Sequence, residues 1–436
     1  MKKKKKATVA AVVANSQGDI FELDGYAAVG MAGFSQTPIS ANQTIQIPYG
    51  SEFMMLPDRH PRVYNILRGE IETLYENPYT PGEPVFPVAV FNSPGYVITH
   101  TSAYEENKNA GPLPLFSYAA AGWYRDRMVT AAICIDKEKR QDLRLMKLEK
   151  IQRGIEKMRI KMPHNRLRAH LENCALVYGC PAGKNFFLGR FEAPLPTSKQ
   201  CNSNCLGCIS LQTDDQIPCS QTRITFTPTA DEIAQVALAH IHRVKHAVVS
   251  FGQGCEGDPL FSAHVILPAI HKIRTETMEG TINMNTNASK PEILEKLFTS
   301  GLDSIRVSIN STRKPCYNAY FRPRGYQFSH VTKSILLAGK LKKHVAINYL
   351  NCPGFTDSPE ETAALMAFLE KYPVNMIQWR NLNFDPLRYF QIMSKAAPHT
   401  HPIGMKNLIE KVHKSFPEIK FGYFNPPKEK FQHFIA

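Results

Sequence analysis

Apolar and polar positions change rhythm twice along the chain. Up to about residue 135, short apolar runs at 88–91 (VAVF), 96–99 and 128–135 alternate with clusters of Pro, Gly, Asn and Ser, which predicts short strands joined by turns. Between 137 and 172, Leu143, Met146, Ile151, Ile155, Met158 and Leu167 recur at helical spacing among Lys and Arg. Pro163 interrupts that pattern, so one long amphipathic helix, a turn and a shorter helix are expected.

From about residue 184, strand and helix patterns alternate. Strands are predicted over 186–191, 247–251, 281–285, 304–309, 345–350 and 374–379, with helices over 229–242, 263–278, 290–300, 331–341 and 358–371. Thr229 suits an N-cap, Pro359 a first helical turn and Gly301 a helix end. Strands separated by such helices imply parallel βαβ units, and crossovers of one hand curl the sheet. The predicted fold is α/β: a partial (β/α)6 TIM-like barrel over 184–385. A strand-rich domain at 1–136 and a basic helical linker at 137–183 precede it, and a helical extension with a Pro-containing tail at 386–436 follows. Chemistry in such barrels belongs at the C-terminal ends of the strands.

Charge alters this picture in two places. The formal net charge is +14, of which the five lysines at 2–6 supply +5. The segment 137–170 holds 12 Lys/Arg against 4 Asp/Glu, leaving the rest nearly neutral. A generally basic nucleic-acid surface is thereby excluded, and 2–6 and 137–170 are left as candidate RNA contacts or as solvated faces. No apolar run approaches the ~20 residues of a membrane span, so a soluble protein is expected. The lysines before 7–14 loosely imitate a secretory signal, but 17–19 (QGD) and 20–23 (IFEL) continue the pattern as a two-strand hairpin.

Ten cysteines are present, and Cys201, Cys205 and Cys208 fall within eight residues as CxxxCxxC. Such crowding favours ligation over disulfide bridging. Thiolates are soft ligands, and three on one loop can hold three irons of a [4Fe–4S] cubane, leaving the fourth iron open to a small molecule. A low-potential iron–sulfur site of this kind implies a reducing compartment, so a cytoplasmic protein is expected. Structural zinc normally takes four ligands, and there is no second CxxC pair; Cys219, His164 and His170 nevertheless keep zinc open as an alternative. Cys174, Cys180 and Cys219 are candidates for a second metal despite their irregular spacing.

The cysteine spacing and the motifs after later strands resemble the radical S-adenosylmethionine (SAM) superfamily over roughly residues 184–385. The resemblance implies a [4Fe–4S] cluster on Cys201, Cys205 and Cys208, SAM bound at the open iron, and an external flavodoxin- or ferredoxin-like electron donor. It further implies reductive cleavage of SAM to a 5′-deoxyadenosyl radical that abstracts hydrogen from substrate. Gly257-Asp258-Pro259 stands where the family carries Gly-Gly-Glu-Pro, so Gly257, Asp258, Pro259 and the neighbouring Glu256 are expected around the SAM amino group. Asn285-Thr286-Asn287-Ala288 resembles the family's Thr-Asn-Gly turn, which marks Asn287. Ser308 and Asn310, polar positions in an otherwise buried strand, are expected at the ribose and carboxylate. Gly207 occupies the place before the third cysteine where the family usually has an aromatic residue, with its backbone facing adenine. Gln378, Arg380 and Asn383 are expected at the barrel mouth. The stretch 317–326 (YNAYFRPRGY) suits either phosphate and nucleobase contact or a packed loop. The substrate class stays open between RNA and a peptide or metabolite. A zinc or iron–sulfur protein without catalytic activity is the remaining alternative.

Overall fold

The computed structural model describes residues 8–431; the lysines at 2–6 lie outside the described residues. Seven parallel strands form the core sheet and pair in chain order: Glu192–Pro194, Val248–Phe251, Thr281–Thr286, Ser304–Ile309, His344–Asn351, Met376–Asn381 and Lys420–Gly422. Sequential parallel pairing requires a helix to return the chain each time. Three linker helices come first, α1 (Leu148–Lys161), α2 (Arg166–Leu176) and α3 (Pro181–Leu188). Barrel helices follow, α4 (Ala230–Ile241), α5 (Ala263–Glu276), α6 (Pro291–Thr299), α7 (Lys314–Phe321), α8 (Phe328–Lys340), α9 (Pro359–Lys371), α10 (Pro386–Ala396) and α11 (Met405–Ser415). The predicted N-cap is present: Thr229 Oγ1 accepts the Glu232 N–H at 3.2 Å, and Glu232 returns a carboxylate to the Thr229 N–H at 2.8 Å.

Two expectations are corrected. The run 186–191 is not the first strand: α3 covers 181–188, opened by Pro181 and closed by Gly189 in the left-handed region (φ 64°). Phe186 and Phe187 are buried on that helix, and so short an apolar run has no period that separates helix from strand. The first strand is Glu192–Pro194 instead. A seventh strand, Lys420–Gly422, extends the sheet beyond the sixth, within what reads from sequence as a tail. The chain after it returns to the sheet's opening edge, where Asn425 Nδ2 bonds Glu192 Oε1 at 2.8 Å and the Lys428 N–H bonds Thr281 Oγ1 at 2.7 Å.

The linker's positive charge is partly neutralised within the protein. Arg166 pairs with Glu232 at 2.8 Å, Arg168 and Arg159 share Glu172, and buried Arg140 donates to the Asn425 carbonyl at 2.7 Å. Lys150, Arg153, Lys157 and Lys161 occupy the solvent face of α1, opposite buried Ile151, Ile155 and Met158.

The N-terminal region forms a twelve-stranded antiparallel sheet that includes the predicted hairpin, with Ala10–Ala14 paired to the long strand Ile20–Ala32. It packs on the barrel's rim beside strands five and six. There the Gly33 N–H bonds Pro353 O at 2.9 Å, and Asn381 bonds both the Ile98 N–H (3.0 Å) and Tyr96 O (2.9 Å). A buried charge cluster joins the same two units. Asp385 caps α10, accepts the Leu113 N–H at 3.1 Å and meets Arg59 at 3.5 Å. Arg59 is 3% exposed and Asp385 fully buried. Arg59→Met should therefore destabilise the fold by about 1–3 kcal/mol in urea titration, since it removes the partner of Glu106 at 2.7 Å and leaves Asp385 with Arg388 at 3.6 Å and its backbone N–H donors; a loss under ~0.5 kcal/mol would contradict this.

Candidate active site

Cys201, Cys205 and Cys208 lie on the loop after the first barrel strand. They open onto a cavity of about 530 Å³ at the C-terminal ends of the strands. Another cavity, about 640 Å³, lies at the opposite end among Lys340, Lys342 and Tyr372, away from these cysteines.

The cysteine loop is held chiefly by the chain that follows the fourth strand. The Asn204 and Leu206 N–H groups bond Phe321 O (2.9 Å) and Tyr320 O (3.1 Å), and the Arg324 N–H bonds Asn202 O at 2.8 Å. Ser203 Oγ meets Tyr326 Oη at 2.8 Å, which in turn meets Tyr317 Oη at 3.0 Å. The stretch 317–326 is thus the packed alternative. Tyr317, Tyr320, Phe321 and Tyr326 are buried, Tyr320 and Phe321 at the cavity wall, while Arg322 and Arg324 stay exposed. Gly207 also has a local cause. A Cβ there would stand 2.9 Å from both Asn383 O and Tyr320 Oη, so Tyr320 fills the space a side chain at 207 would need.

The loop after the second strand is tied down by its carboxylates. Glu256, 4% exposed, accepts four backbone N–H bonds: Thr197 (2.7 Å) and Ser198 (2.9 Å) on one oxygen, Gly252 (2.7 Å) and Gln253 (2.8 Å) on the other. Burial pushes its carboxyl up to about 7, against the pull of those N–H groups. Asp258 accepts the Leu260 N–H (3.0 Å), the Thr286 hydroxyl (2.9 Å) and the Asn287 N–H (2.7 Å). Asn287 Nδ2 then bonds Asn202 Oδ1 at 2.7 Å and Ser203 Oγ at 3.0 Å, which closes a network through the loops after strands one, two and three. Gly257 belongs to this close approach, since its Cβ would lie 2.0 Å from Gln200 O. Ala288 holds φ 54°, the left-handed conformation that suits glycine. Ala288→Gly should change stability by less than about 1 kcal/mol in thermal unfolding, because relieved strain and added chain entropy oppose each other at similar size.

Gly207, Glu256, Gly257, Asp258, Asn287 and Ser308 all line the cavity. Asn310 is buried elsewhere, donating to Cys316 O and Tyr389 Oη at 3.2 Å each, and Pro259 opens the helical turn Pro259–Ser262. Gln378, Arg380 and Asn383 line the cavity as expected. Sequence reasoning missed Glu192, Arg223, Arg306 and Asn348 on the same wall. Arg306 shares the face of Ser308 two positions on, a period-2 signal that was available. Arg223 had none; its Nη2 lies 3.4 Å from Cys208 Sγ and its Nε 3.2 Å from Ser210 Oγ.

The three thiols fit a cluster. Burial pushes Cys201 up to about 11, with Asp258 adding, and raises Cys205 well above the ordinary thiol range, with Cys201 and Cys208 adding, so a cationic group is needed before these two ionise. Among the described residues, their sulfur atoms do not form a group lying wholly within 4.8 Å, whereas ligands of one tetrahedral zinc stand about 3.8 Å apart. The wider spacing suits corners of a cubane.

Residues 195–366 match the family model of the Radical SAM superfamily. No curated protein matches the chain. Similar solved structures include a radical SAM methyltransferase from Sphaerobacter thermophilus (14% identity, 53% of this chain and 66% of that one, TM-score 0.37). SuiB from Streptococcus suis bound to S-adenosylmethionine (15%, 53% and 50%, 0.38) and the coproporphyrinogen III oxidase HemN from Escherichia coli (13%, 52% and 52%, 0.36) are others. The chain thus spans about half to two thirds of the length of these structures. Residues 195–366, which carry the CxxxCxxC loop at the C-terminal rim of the parallel half-barrel, are thus a Radical SAM superfamily domain.

Proposed function

We propose that the protein is a radical SAM enzyme acting on a polar, metabolite-sized substrate. The observation that carries this is the convergence of Cys201, Cys205 and Cys208 on one cavity with the Glu256–Asp258–Asn287 network. When bound on these cysteines, a [4Fe–4S] cluster supplies one electron to SAM, whose C5′–S bond breaks to give methionine and a 5′-deoxyadenosyl radical that takes hydrogen from substrate. The protein's part is to hold three thiolates at fixed spacing and to present the backbone of 252–258 and the side chains of Asn287 and Ser308 to SAM. A flavodoxin- or ferredoxin-like donor provides the electron.

The wall beyond the cysteines supports the choice of substrate class. Arg306 Nε, Asn348 Oδ1 and Gln378 Oε1 are buried and find no partner among the described residues. Buried polar atoms of this kind call for a polar occupant. Burial lowers Arg306 to about 10, with Glu192 opposing and Arg380 adding to the effect. Arg306 and Arg380 suit a carboxylate or phosphate, and Glu192 an amine or hydroxyl nearby. RNA has less support, because the linker's cations are partly paired and the aromatics of 317–326 are buried.

The test is anaerobic iron–sulfur reconstitution, then dithionite and SAM, with 5′-deoxyadenosine measured. Wild type should form it, and Cys205→Ala should fall to background. Absence of product from reconstituted wild type, or equal yield from the variant, would reject the enzyme reading. Retention of RNA that falls steeply with salt would overturn the substrate class.

A further inference from the structure

A second group of metal-ligating side chains lies outside the cysteine loop. His170 and Cys174 stand four residues apart on one face of α2, with His170 Nε2 3.5 Å from Cys174 Sγ. Cys255, from the loop after the second barrel strand, joins them: the three ligand atoms all lie within 4.8 Å of one another. Among the described residues, this is the one group of three or more His, Cys, Asp or Glu with that property. Cys174 and Cys255 are 3% and 7% exposed, and His170 is half-buried with its ring edge-on to Phe226. Cys180 begins α3 directly afterwards, and its N–H bonds Cys174 O at 2.9 Å, which folds the loop back toward the group.

One edge of the group is known at 3.5 Å and the other two lie within 4.8 Å, a spacing that admits one ion. Bond lengths of about 2.3 Å to sulfur and 2.05 Å to nitrogen give tetrahedral edges of about 3.6 Å between S and N and 3.8 Å between sulfurs. The observed 3.5 Å edge agrees with the first. A hydrophobic core explains buried cysteines singly. It gives no reason for two of them, from elements 81 residues apart in sequence, to converge with an imidazole. Thiolate and imidazole donors together select zinc.

We infer that His170, Cys174 and Cys255 hold a zinc ion that staples the helical linker to the loop carrying Glu256, Gly257 and Asp258. The ion would fix that loop from outside, while Glu256 and Asp258 fix it from within. This assignment does not depend on the cluster reading.

The test is zinc content of the full chain, expressed with zinc, desalted and measured by mass spectrometry of the metal. Wild type and the triple variant Cys201→Ser, Cys205→Ser, Cys208→Ser should each retain about one zinc per chain. Cys174→Ser and Cys255→Ser should lose it, and His170→Ala should weaken it at least tenfold in chelator competition. Should the buried variants fail to fold, cobalt substitution of wild type decides instead. Intense visible bands of tetrahedral cobalt with thiolate charge transfer, displaced by one equivalent of zinc, are expected. Wild type without zinc and without those bands would overturn the proposal. So would zinc that disappears in the triple variant, or a Cys174–Cys255 disulfide in place of metal.

Discussion

Glu256→Gln should lower stability by about 2–5 kcal/mol and bring 5′-deoxyadenosine formation close to background. The carboxylate satisfies four backbone N–H groups, two on each oxygen. A carboxamide accepts on one side only. Whichever way it turns, its NH₂ faces two buried N–H donors that then have no acceptor, at about 1–3 kcal/mol each. The pairs belong to different elements, one just after the first strand and one just after the second, so the loss separates the cysteine loop from the 252–258 loop. Urea titration measures the first effect and product yield the second. A variant less than ~1 kcal/mol below wild type would show that these oxygens do not hold the loops together.

Gly257→Ala should cut SAM cleavage by about 100-fold, the cost of displacing reacting groups by roughly an ångström. The added methyl would stand 2.0 Å from the Gln200 carbonyl oxygen and 2.5 Å from its carbon, which are backbone atoms next to Cys201. They cannot rotate aside, so the cysteine loop itself must shift, with ~1–3 kcal/mol of overpacking. Gly111 is the control: a Cβ there meets nothing within 4 Å, and Gly111→Ala should leave product yield unchanged. Equal yields from the two variants would show that the 257–200 contact does not set the site.

The barrel was legible from sequence because buried parallel strands and amphipathic helices differ in length and period. The capping box at Thr229 and the proline at 359 marked helix starts at the right places. Elements of three residues were not legible. Glu192–Pro194 and Lys420–Gly422 are strands only because the sheet edge beside them offers partners, and neither has a pattern of its own. Phe186 and Phe187 misled for a related reason, since two adjacent aromatics fit a strand as well as a helix until Pro181 and Gly189 are weighed. Within the site, the cysteines announced themselves through spacing. The roles of Glu256 and Asp258 did not, because a carboxylate that binds a ligand and one that gathers backbone amides look alike in a sequence. His170, Cys174 and Cys255 were visible separately, but their convergence is a property of tertiary packing alone.

The bond from Asn425 to Glu192 spans 233 residues. Chain closure over that separation is entropically slow, and no local contact substitutes for it. Until the segment around residue 425 has docked, Glu192 on the first strand lacks this partner from beyond the seventh. Contacts of such separation raise the contact order of the barrel and slow its folding.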